Sequence, residues 1–338
     1  MFRGDASRSG ITKATAVKTL SGVQWQVPTG YVVTASPTVA NNVVYIGSMD
    51  RTFRALEAAT GKELWKFDAQ GKILSSAAVA GDVVCFGTDK GRFLALNRTT
   101  GALLWEIDVK DGGINASPAI VGKQVVFADS NGRLLAAELK TGKQIWQFEA
   151  GAAIESSPAV NDKLVFFGTR KGHLIAVNLD DGKEVWRYQT KRAIVATPAV
   201  QAGILVVGSL DRRLYAFDPA SGKLRWQQRL GNEITSSAAL LGETLYVGCD
   251  DNNLYALELA TGKLRWRFKT GGMVNSSPTV ADGVVYFGSR DSHFYAVAAE
   301  TGKELWKFKA GGWVRTTPAV VKGTVYFGSD DRNIYALH

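Results

Sequence analysis

The sequence predicts an all-β protein: an eight-bladed β-propeller of four-stranded antiparallel blades, its ring closed when the N-terminal strand completes the last blade. Three observations predict this. Tryptophans recur at Trp25, Trp65, Trp105, Trp146, Trp186, Trp226, Trp266 and Trp306, in steps of 40, 40, 41, 40, 40, 40 and 40 residues, and only Trp313 lies off the grid. Each period carries four short runs of β-branched and aromatic residues. The chain also opens on a surplus tryptophan strand and ends without one. A fixed period of this length marks a repeat architecture, and it overrides the two or so domains that 338 residues would otherwise suggest.

The repeat can be read strand by strand. Residues 271–310 contain "SPTV", "VVYFGS", "HFYAV" and "LWKF", separated by "ADG", "SRDS" and "AETGK". The runs have strand composition, the separators have turn chemistry, and no window sustains a helical period. The first strand appears eight times, from "ASPTV" at 35 to "TTPAV" at 316. The eighth copy runs on through "TVYFGS" and "NIYALH" but stops before its tryptophan strand, whereas "GVQWQV" at 22–27 is such a strand with no blade before it. Residues 23–27 are therefore expected to pair with 333–337, leaving no open inter-blade face. The whole of 1–338 reads as one propeller domain, with 1–20 a leading segment and blades one to eight over about 31–338.

Seven stretches share an 11-residue pattern: Ala, any residue, an acidic residue or Asn, two of any kind, Thr-like, Gly, three of any kind, Trp. Ala55 to Trp65 is one of them, and blade seven departs only in holding Ala298 at the acidic place. The eighth pattern is split between Ala336 and Trp25. It spans the turn from the third strand to the fourth. The glycine allows a backbone shape that a Cβ resists, the threonine bonds the turn, and the tryptophan supplies a flat apolar face and one N–H at a blade boundary. These eight tryptophans read as architectural clamps.

This pattern resembles the tryptophan-docking motif of PQQ-like repeats, which build the propellers of quinoprotein alcohol dehydrogenases and of the barrel-assembly lipoprotein of the bacterial outer membrane. The opening "MFRGDASRSG" resembles the segment that begins many stand-alone members. The resemblance covers nearly the whole chain and implies the fold. It leaves function open, because the fold hosts enzymes, scaffolds and sensors. It also implies work outside the cytoplasm, so a periplasmic or extracellular location is expected, although no signal peptide or membrane span is visible.

The enzyme members carry an adjacent Cys–Cys pair beside the cofactor and a set of acidic and amide residues for calcium. Here the only cysteines are Cys85 and Cys249, in opposite blades, too far apart to bond. The loops are minimal. His173, His293 and His338 do not make a metal site, the first two reading as exposed turn residues. "DDNN" at 250 and "DDRN" at 330 lack full calcium-loop spacing and read as turns. No nucleophile elbow, P-loop or dinucleotide fingerprint is present. "RGD" at 3–5 belongs to the leading segment. No catalytic residue, metal site or cofactor is expected, PQQ with calcium being the alternative.

The formal net charge is +9. Mapped onto blades, the face bearing the fourth-to-first and second-to-third loops, the top, is mildly basic, and the opposite face mildly acidic. This suits an anionic ligand or surface, but lacks the dense basic stripe of a nucleic-acid binder. A site is best placed at the top of the central funnel. Four residues before the first-strand proline the chain always holds Val or Ile. The neighbouring positions vary, and variation on a regular scaffold is where specificity is written. They supply the candidate ligand residues Thr34, Lys72, Asn115, Glu155, Glu233, Asn275, Trp313 and Arg315. Trp313 is expected either to plug the funnel beside Met273, the favoured reading, or to carry a flat anion with Arg315. The function expected is a non-catalytic scaffold or sensor propeller of the bacterial envelope. It would be a monomer that binds a protein, a surface polymer or a small anion, and no nucleic acid. The alternative is a quinone-binding oxidoreductase.

Overall fold

The computed structural model describes residues 3–338. Among these the chain forms strands and no helix. Eight antiparallel sheets follow one another around a central axis. Blade one consists of Thr38–Ala40, Val43–Gly47, Thr52–Glu57 and Glu63–Asp68, from the axis outward. Blade eight consists of Ala319–Val321, Thr324–Gly328 and Asn333–Leu337, completed by the N-terminal strand Val23–Pro28. Val23 lies opposite Leu337, and Pro28 opposite Asn333. The expected closure and its register are what the structure has.

The 11-residue pattern has a geometric cause. Each tryptophan stands directly across the ladder from the alanine that opens its pattern, as Trp65 does from Ala55. A register shift just before the tryptophan turns it toward the next blade and leaves the preceding residue, such as Leu64, exposed. The indole then docks on the next blade's turn. Its Nε1 donates to a carbonyl there, at 2.8 Å for Trp25 on Ala58 and 3.0 Å for Trp65 on Arg98. The ring lies on the turn glycine: a Cβ on Gly61, whose φ is +74°, would stand 2.8 Å from the Trp25 ring. That contact is why the glycine recurs.

Near the axis, packing explains the unvarying Val or Ile. A Cβ on Gly47 would come within 2.2 Å of Ile73 in the next blade, and the later second-strand glycines meet the same position. Hydroxyls at the start of the first strands link neighbours around the channel, Ser76 accepting from the Ser36 amide at 2.9 Å and Ser117 from the Ser76 amide at 2.9 Å. The leading segment lies inside this ring. Ile11–Thr12 adds a parallel strand to Thr279–Ala281 of blade seven. Residues 14–20 then cross the bottom of blades seven and eight, packing on Tyr286 and Trp306. The leading segment fills the blade-four to blade-seven side of the channel. Trp313 does not plug it: Trp313 is 45% exposed and Met273 37% exposed, because both stand on the rim above the ring.

Both cysteines are free and buried. Cys249 is the last residue of a second strand, Thr244–Cys249, where most other blades carry Ser or Thr, and its thiol faces the Asn232 and Glu233 carbonyls. His173 and His293 begin third strands and are half-buried, correcting the exposed turn positions expected of them.

Candidate functional site: the top rim of the funnel

The candidate positions are set by two loops per blade. The amide following the second-strand Ser, Thr, Asp or Cys donates to the carbonyl five residues before the first-strand proline, or before the alanine that replaces it in blades two and six. Asp330 donates to Trp313 at 2.9 Å, Arg290 to Met273 at 2.9 Å, Asp250 to Glu233 at 3.0 Å and Arg170 to Ala153 at 2.9 Å. This bond sets the variable residues of the two loops side by side. The intervening Val or Ile is buried and anchors them, Val314 and Ile154 being about fully covered.

The rim then sorts into pairs. Arg315 holds Asp330 at 2.8 Å within blade eight, and Glu155 holds Arg170 at 2.7 Å within blade four. Arg192 of blade five reaches Glu233 of blade six. Asn275 of blade seven donates to Thr235 of blade six at 2.8 Å and also to Asp250, whose other partner is Thr235 at 3.1 Å. Burial, acting first, raises the Asp250 carboxyl above the ordinary carboxylate value. Arg290 lies over Trp313 with 5.0 Å from guanidinium carbon to ring centre, and Arg315 flanks the same ring at 6.0 Å. Tyr31, exposed, carries Arg332 at 5.8 Å on the adjoining blade-eight to blade-one edge.

Of the sequence candidates, the structure groups Trp313 and Arg315, ties Asn275 into the blade-six network, and gives Glu155 and Glu233 to separate ion pairs. Lys72 and Asn115 stand exposed outside these networks, and Thr34 is half-buried. Arg290, Asp250, Asp330 and Arg170 were missed. Their signal was available: the position after the second strand's end varies in charge from blade to blade just as the first-loop positions do.

The rim can present an indole between two guanidiniums, a surface suited to stacking and to charge-assisted contacts. Calcium-held quinone chemistry would need a group of oxygen ligands here. Calcium takes six to eight oxygens or so, and no three of His, Cys, Asp and Glu converge among the described residues. Asp330, Glu155 and Glu233 are each turned to an arginine.

The fold defines an eight-bladed repeat propeller closed by its own N-terminal strand. The chain belongs to the family whose model, described as outer membrane protein assembly factor BamB, matches residues 13–157, 136–272 and 211–338. No curated protein matches it. Among solved structures it is similar to BamB from Moraxella catarrhalis, at 18% identity and TM-score 0.82, over 95% of this chain and 100% of that one. It is similar to the computationally designed Ika8 protein at 18% identity and TM-score 0.83, over 92% and 97%. It is also similar to a europium-containing methanol dehydrogenase at 15% identity and TM-score 0.88, over 100% and 97%. At these identities the likeness is one of fold. Among the described residues no helix is long and apolar enough to cross a membrane.

Proposed function

We propose that this chain is a non-catalytic binding propeller of the bacterial envelope, acting on the periplasmic side as a scaffold that engages a protein partner through its top rim. The observation that carries this reading is Trp313, 45% exposed between Arg290 and Arg315, with the neighbouring Asp330 already held by Arg315. Exposed Trp, Tyr, Met and Arg side chains are the types enriched at protein interfaces, and Tyr31 and Met273 extend the patch. Membership of an assembly-factor family supports a partner that is a protein. The likeness to a dehydrogenase supports fold only, and the likeness to a designed protein shows how little fold alone says about activity.

Replacing Trp313 with Ala tests the reading. The melting temperature should stay within a few degrees, since the ring is largely exposed, while capture of envelope proteins crosslinked to the rim should fall about tenfold or more, as for an interface anchor. A large loss of stability with capture unchanged would sink the proposal. Calcium-dependent dye reduction with an alcohol by the PQQ-supplemented protein would favour the oxidoreductase reading instead.

A further inference from the structure

The innermost strand of every blade leaves one edge facing the axis. Its amides and carbonyls need partners. Residues 3–12 meet part of that need. Amides at 40-residue spacing, Val160, Val200, Leu240 and Val280, donate to the carbonyls of Ala6, Ser7, Ser9 and Gly10 at 2.7, 3.0, 2.8 and 2.9 Å. The segment thus climbs past blades four to seven, one bond per blade. Only at blade seven does this become strand addition to a sheet edge, through Ile11–Thr12.

Two arginines select the position. Arg8 is fully buried and spans blades three and four, donating to the carbonyls of Ser117 at 3.0 Å, Pro118 at 2.7 Å and Pro158 at 3.1 Å. Arg3 donates to the Ser237 carbonyl of blade six at 2.8 Å and to its neighbour Ala238. The planar Arg8 fork, with several N–H groups in fixed directions, serves carbonyls of blades three and four at once. The segment is pre-shaped for this. Asp5 accepts from the hydroxyls of Ser7 at 2.8 Å and Ser9 at 2.6 Å, and Gly4 and Gly10 adopt φ of +90° and +71°. Arg3 and Asp5 of the "RGD" triplet are therefore used internally and are not presented as an adhesion motif. The fit is one-sided: a void of about 160 Å³ separates the segment from the inner strands of blades eight and one. The contacts are mostly hydrogen bonds to backbone rather than interlocked apolar side chains.

We propose that the central channel is a peptide-binding site for a short, turned, arginine-bearing segment, and that residues 3–12 occupy it as a ligand which the chain supplies to itself. The site recognises two guanidiniums against inner-strand carbonyls and the carbonyls of a turned backbone against inner-strand amides. The same segment from a second copy of the chain satisfies it equally.

The test has two arms. In the intact chain, the double change R3A/R8A should speed hydrogen exchange at the Val160, Val200, Leu240 and Val280 amides at least tenfold, while second-strand amides such as Leu205 and Val247 keep their protection. Unchanged exchange at the four inner amides would overturn the proposal. In the second arm a protease site is inserted between Lys13, which is exposed, and Ala14. After cleavage, a labelled peptide of residues 1–13 should exchange into the channel. Unlabelled peptide should compete with it, and the same peptide with both arginines changed to alanine should not. A cut protein that stays folded but binds no peptide refutes the idea. So does one that loses its fold, since the segment would then be core and not ligand.

Discussion

Seven of the eight inter-blade joints are built alike, and the joint between blades seven and eight is not. At an ordinary joint the indole donates to a carbonyl of the next blade's own turn, as Trp266 does to Ala299 at 3.0 Å, with the turn glycine beneath the ring. Blade eight has no such turn, because the chain termini cut it. Trp306 instead donates to the carbonyl of Val17 at 2.7 Å, in the crossing segment. Tyr286 reinforces the substitute, its hydroxyl donating to the same carbonyl at 3.1 Å and accepting from the Val17 amide at 2.7 Å. At the neighbouring joint Tyr326 and Trp25 share the Ala58 carbonyl in the same manner. The comparison teaches that closing a ring by strand exchange opens one turn, and that an extra stretch of chain must replace the acceptor lost there.

The largest expected effect comes from removing residues 1–27. This takes away the fourth strand of blade eight, the axial segment and the Val17 acceptor together, and exposes the edge of Asn333–Leu337. Aggregation, or loss of a cooperative melt, is expected. A truncated protein that melts like the full chain would refute the account of closure.

Next comes the contrast between Trp65→Ala and Trp306→Ala. Each should lower stability by on the order of 3–5 kcal/mol as a truncated core aromatic, read from denaturant unfolding. They should differ in one respect. Only the change at Trp306 should free the crossing segment, seen as faster tryptic cleavage after Lys18, which is exposed beside it. Equal cleavage rates in the two variants would erase the distinction between joints.

A smaller effect is expected from Tyr286→Phe. Losing the two bonds to Val17 should cost about 1 kcal/mol or slightly more, and should speed the same cleavage, whereas Tyr326→Phe should not. Burial, acting first, raises the Tyr286 phenol above its ordinary value of 10.0. The native state therefore keeps a proton that the unfolded chain releases. The linked stability is present below pH 10 and is lost as pH rises through and beyond it. The decline in melting temperature above pH 10 should be shallower in Tyr286→Phe; an identical slope would show that this phenol is not linked to folding.

The smallest effect is a null one. Cys249, whose thiol burial pushes up to about 12, and Cys85, pushed higher by burial alone, should resist alkylation at pH 8 in the native protein and react fully once unfolded. Rapid native labelling of Cys249 would mean that the top of blade six opens readily.

What the sequence determined by itself is what local periodicity can carry. The tryptophan grid, the Ala-to-Trp pattern and the missing last strand specify eight blades and the pairing of 23–27 with 333–337, because each is a repeated local need: a turn that requires glycine, and a ring that requires a flat neighbour. The sequence also singled out candidate loop positions, since they vary where the scaffold repeats. Only the tertiary structure decided which of them meet. Arg290 over Trp313, Asn275 on Asp250 and Arg192 with Glu233 join residues of different blades, and nothing in a 40-residue period encodes which side chains of neighbouring repeats will touch. It also decided the fate of residues 3–20. These lie outside the repeat, so periodicity is silent about them. Their place in the channel and at the seventh joint follows from polar groups that exist only once the ring has formed: inner-edge amides and carbonyls, and an indole N–H left without its turn.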